Sequence, residues 1–139
     1  MRFAYAPILA AIAMVTACAT VPVYEPREWN ADVQPVGDTE VRAAVRAVTA
    51  PGQTAVAINL AGGEAGATHP WHIHRGTCET GGPIVGDPAQ YPPLRPTAAG
   101  GATATAHIRA QLVPGEDYHV NVHRSPELLQ EVVACGDLR

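Results

Sequence analysis

Apolar and polar residues alternate with a period of two along several short stretches of this chain. In residues 39–49, Val41, Ala43, Val45 and Ala47 fall on one face and Arg42, Ala44 and Arg46 on the other. Successive side chains of a strand point to opposite sides, so this pattern predicts a half-buried strand. The alanine content also fits a helix, but Pro51-Gly52 supplies a turn and residues 54–60 resume the alternation with Val56 and Ile58. Two adjoining strands fit better. Residues 71–74, 102–113, 118–123 and 131–135 continue the series, with a short strand at Ile84-Val85. Between them, residues 61–67 are Gly-rich, and residues 77–101 form a long loop punctuated by Gly81-Gly82-Pro83, Asp87-Pro88, Pro92-Pro93 and Pro96. About seven short strands separated by turns predict an all-β fold, an antiparallel sandwich or barrel.

The 139 residues suffice for one modest domain. Thirteen glycines and thirteen prolines agree with short strands and many turns, while a single Phe leaves Ala and Val to build most of the core. All nine basic residues are Arg, the net charge is −4, and no basic block occurs, which argues against nucleic-acid binding.

The N-terminus reads as an address. Arg2 precedes an apolar stretch over residues 8–15 that ends in Val15-Thr16-Ala17-Cys18. A positive start, an apolar middle and small residues before a cut describe a secretory signal. A cysteine directly after them resembles the lipobox of bacterial lipoproteins, which implies a signal peptide over residues 1–17 and lipidation of Cys18. A plain signal peptide or an uncleaved anchor helix fits the same residues, although the stretch is short for a bilayer span. Residues 18–37 are proline-bearing with little periodicity and read as a tether, so the folded domain is expected over 38–139. If Cys18 carries lipid, Cys78 and Cys135 remain, and export places them where a pair closes into a disulfide; two free thiols are the alternative.

Candidate chemistry centres on His72-Ile73-His74. On a strand these histidines share a face, so two imidazoles converge while Ile73 turns to the core. Imidazole pairs suit copper, zinc, iron or nickel. His119, Asn121 and His123 share the face opposite Tyr118, Val120 and Val122, which makes His123 a natural third ligand on the same side of the core. Three imidazoles with an open position form a catalytic type of site. His107 and His119 read as solvent-facing strand residues, either able to add a ligand if the strand twist allows. The loop around residues 91–96 covers a sheet edge or walls the site.

The run His69-Pro70-Trp71-His72-Ile73-His74 resembles the copper-binding strand of the copper/zinc superoxide dismutases. Cys78, the segment Val120-Asn121-Val122-His123 and the terminal Ala134-Cys135-Gly136 are similar to that family in order and type, across residues 41–137. The Gly-rich stretch is also similar to that of related chordin-type domains. The resemblance implies a Greek-key, immunoglobulin-like sandwich; His72, His74 and His123 as ligands of one copper ion; His69 as a buried support; Asn121 where the family has an aliphatic residue beside copper; and a Cys78–Cys135 disulfide. No histidine lies between Arg75 and Ala106, and Ile84 stands where a zinc histidine would precede Asp87, so the resemblance implies copper without zinc. Val132 replaces the family's active-site arginine, and the connection after Arg124 is shorter than its guiding loop. Arg75 and Arg124 follow ligand histidines and are candidates for attracting an anion; solvated surface charges are the simpler reading. The implied function is that of an exported copper protein, lipid-anchored in the bacterial envelope and facing the periplasm or cell surface, either dismutating superoxide or buffering and delivering copper.

Overall fold

The computed structural model describes residue 1 and residues 25–139. Seven strands lie among the described residues: β1 (Arg27–Pro35), β2 (Arg42–Ala50), β3 (Gln53–Ala61), β4 (Trp71–Arg75), β5 (Ala102–Ile108), β6 (Tyr118–His123) and β7 (Val132–Leu138). They form one curled antiparallel sheet in the order β4-β6-β7-β1-β2-β3-β5, with a single 3-10 turn at Pro88–Gln90 and no α-helix among the described residues. The all-β, antiparallel expectation therefore holds. β1, β2 and β3 follow one another as hairpins. The chain then crosses to the far edge for β4, back for β5 and across again for β6, the exchange of edges that characterises Greek-key arrangements.

The two-residue alternation sets which faces are buried. Val45, Ala47, Val56, Ile58 and Ile108 face inward from one half of the curl, and Ile73, Val120, Val122 and Val133 from the other. Alanines leave room that two large rings fill: Trp29 and Tyr118 meet edge-on with centroids 5.6 Å apart.

One boundary differs from the sequence reading. The tether expected over 18–37 does not extend that far, because β1 begins at Arg27. Trp29, Ala31 and Val33 are buried while Glu28, Asn30 and Asp32 are exposed, a short alternation hidden between Pro26 and Pro35. This strand joins the two halves. Residues Arg27 to Val33 pair with β2, and Gln34 and Pro35 pair with β7. The domain thus includes residues well before position 38. The proposed signal peptide and Cys18 lie outside the described residues. No helix among the described residues is long and apolar enough to cross a membrane.

Two strand ends also shift. β5 stops at Ile108, short of 113, because the Gln90 side chain takes the Arg109 N–H (3.1 Å) and the Ala110 carbonyl accepts from Thr54 (2.8 Å). β7 runs on past Cys135 to Leu138. The long Pro-rich loop covers the outer edge of β4. Ile84 bridges to His74 and Leu94 to His69, the Trp71 indole donates to the Pro92 carbonyl (2.7 Å), and the Tyr91 hydroxyl donates to the Val85 carbonyl (2.7 Å). An edge that would otherwise expose unpaired backbone is closed.

Candidate metal centre

β4 and β6 lie side by side with His72 opposite Asn121 and His74 opposite His119. Because Ile73 and Val120 fill the core between them, all four polar side chains share the outer face. A register shift between Val122 and His123 re-aims the end of β6, and the His123 N–H closes onto the Pro70 carbonyl at 2.8 Å. His123 thereby reaches over His72.

The result is a compact cluster. One ring nitrogen each from His72, His74 and His123 lies within 4.8 Å of the other two. His72 Nδ1 and His123 Nε2 are 3.2 Å apart. His74 donates from Nδ1 to the Gly82 carbonyl (2.9 Å), which fixes its tautomer and leaves Nε2, buried and without a hydrogen-bond partner, as the free lone pair. Tyr91 walls the site, its ring edge-on to His72 at 5.2 Å. Three convergent imidazole nitrogens, one of them an orphaned buried acceptor, are a donor set that fits a first-row transition metal; they do not by themselves select copper over zinc.

Electrostatics keep the cluster in its ligating form. Burial, with the neighbouring His123 and His74 adding to it, lowers the His72 pKa to about 4. Burial is also the main cause lowering His74, which the bond to Gly82 opposes and His119 reinforces. His123 is lowered by burial and by His74, against an opposing contribution from the Leu129 backbone. Neutral imidazoles at neutral pH are ready to bind a metal.

The supporting residues divide. His69 is buried and donates from Nδ1 to the His123 carbonyl (3.0 Å), fixing the backbone that carries that histidine. Asn121 sits between His72 on β4 and Cys135 on β7, its Oδ1 buried and unpartnered. Cys78 and Cys135 are joined by a disulfide, and the Cys78 N–H donates to Asp137 Oδ1 (2.8 Å), so residues 76–82 are tied to β7. Asp87 caps the 3-10 turn by accepting from the Ala89 N–H (2.9 Å). The candidate anion-attracting arginines are both engaged: Arg75 with Glu116, and Arg124 with Glu131 at 2.6 Å. Neither presents an unpaired cation to the site.

His107 is exposed, as expected. His119 is not: it is 1% exposed, stacked on His74, and bonded through Nδ1 to the Gly76 carbonyl (2.9 Å). Its alternation in β6 places it on the outer face, and only the folded loop above that face buries it. A cleft of about 590 Å³ opens over the disulfide, and one of about 270 Å³ reaches His69 from the side of Arg124 and Glu40. No family model and no curated protein matches the chain.

Proposed function

We propose that this protein binds one copper ion through His72, His74 and His123 and serves as an exported, lipid-anchored copper protein of superoxide dismutase-like type. The observation that carries this reading is the convergence of three ring nitrogens within 4.8 Å on a rigid two-strand platform. The disulfide supports an oxidising compartment, since such bridges persist outside the cytoplasm. The sequence before residue 25 supports export and a lipid on Cys18. A bound copper ion would supply one-electron chemistry, cycling between Cu(II) and Cu(I) as one superoxide is oxidised to dioxygen and another is reduced to peroxide. The chain's own part is to hold three neutral imidazoles in place, with His69 fixing His123 and Gly82 fixing His74.

A second reading, buffering or delivery of copper without turnover, is favoured by a specific feature. Arg75 and Arg124 are paired with Glu116 and Glu131, and Val132 offers no charge, so neither candidate arginine stands free to draw an anion toward the cluster. One preparation separates the two. Purified protein is loaded with copper, the metal is quantified, and superoxide decay is followed by pulse radiolysis. Decay accelerated in proportion to bound copper supports the enzyme. One copper per chain with decay no faster than in buffer leaves the carrier. Absence of stoichiometric copper ends both.

A further inference from the structure

His74 is the ligand in most need of support. His72 and His123 are 7% and 5% exposed, whereas His74 is only half-buried at the open end of β4. A partly exposed imidazole that is free to turn loses conformational entropy when a metal fixes it. Two contacts already hold this ring. Its Nδ1–H bonds to Gly82 on one side, and the ring of His119 lies against its face, nearly parallel at 19° with centroids 5.1 Å apart.

His119 is itself immobilised. It stands directly opposite His74 in the β4–β6 ladder, is almost fully buried, and gives its Nδ1–H to Gly76. The two acceptors are the ends of one short loop, residues 76–82, which the Cys78–Cys135 bridge ties to β7. A single loop therefore grips two stacked imidazoles by their Nδ1 atoms. His119 is not one of the three clustered ligands, so its contribution passes through His74.

We propose that His119 is a positioning residue: its ring, stacked on His74, holds that imidazole in the orientation from which Nε2 reaches the metal. This rests on the copper reading given above. The stack supplies the positioning, and the bond to Gly76 keeps the buried N–H of His119 satisfied.

Two variants separate ring from hydrogen bond. His119→Phe keeps an aromatic face against His74 and loses the donor; His119→Gln keeps a donor for Gly76 and loses the face. Copper affinity is measured by competition with a chelator, and the Cu(II) EPR spectrum is recorded for each full-length protein. His119→Phe is expected to retain wild-type affinity within a few-fold and the wild-type parallel hyperfine splitting. His119→Gln is expected to lose about 10- to 100-fold in affinity, the range typical of residues that orient metal ligands, with an altered splitting. Wild-type behaviour in His119→Gln overturns the proposal, because the ring would then be dispensable. Loss in both variants also overturns it, because the stack would then be insufficient. Wild-type protein that binds no copper overturns the copper reading itself, and this inference with it, a result distinct from either sorting of the variants.

Discussion

At the scale of single residues, the site depends on imidazoles that burial keeps neutral. The double change His72→Ala with His74→Ala should abolish stoichiometric copper binding, measured by metal analysis after gel filtration, since one remaining imidazole has no chelating partner. His69→Ala should weaken copper binding about 10- to 100-fold without abolishing it, because the ligands stay but the His123 backbone loses its donor. The pH dependence follows from sign. His72 has its folded pKa lowered from 6.5 to about 4, so the unfolded chain takes up a proton before the native protein does. The stability this gives is fully present above pH 6.5 and is lost as pH falls toward about 4. Thermal melts of the metal-free protein should show the midpoint falling through that window, with a shallower fall in His72→Phe. His74 and His123 are shifted in the same direction and add to the effect. Which histidines lie on one face was legible in the sequence, because strand periodicity fixes it. The burial of His119 was not, because an outer-face residue is covered only by a loop folding over it.

At the scale of elements, the sequence pattern marks β6 clearly and leaves β1 hidden. β6 alternates cleanly over six residues. β1 offers only Trp29, Ala31 and Val33 between flanking prolines, and its importance comes from partners distant in sequence. The contact between β1 and β7 depends on Gly136, where an added Cβ would stand 2.6 Å from the Asp32 carbonyl oxygen and 2.8 Å from the Val33 Cα. Backbone cannot yield there as a flexible side chain would. Gly136→Ala should therefore destabilise the fold by about 1–3 kcal/mol in denaturant titration, with the disulfide intact. The disulfide is the other long-range fastener. It closes a loop of 57 residues, and its removal by Cys78→Ser with Cys135→Ser should cost about 4 kcal/mol on chain-entropy grounds. Copper affinity should also fall in that variant, since the loop carrying the Gly76 and Gly82 carbonyls loses its anchor.

At the scale of the whole molecule, β1 decides where the domain begins. Among the described strands it alone pairs with both halves of the curled sheet, by its first seven residues with β2 and by its end with β7. A chain starting at residue 25 keeps all seven described strands and should unfold in one cooperative transition. One starting at residue 38 should lack a cooperative transition, because the two halves lose their shared strand and Trp29 leaves the face of Tyr118. Calorimetry of the two truncations checks this. The chain has no lysine and a net charge of −4, and among the described residues Arg46 pairs with Glu28, Arg75 with Glu116 and Arg124 with Glu131.

The sequence by itself determined the class of fold, the strand faces and the three histidines, because side-chain alternation is a local property of the backbone. It also marked out Cys78 and Cys135 as a pair. Only the tertiary structure decided that the histidines meet within 4.8 Å, that β1 belongs to the domain, that Arg75 and Arg124 are neutralised, and that His119 lies beneath the loop. Each of those outcomes depends on segments far apart in sequence being brought together, and no local periodicity encodes such a distance.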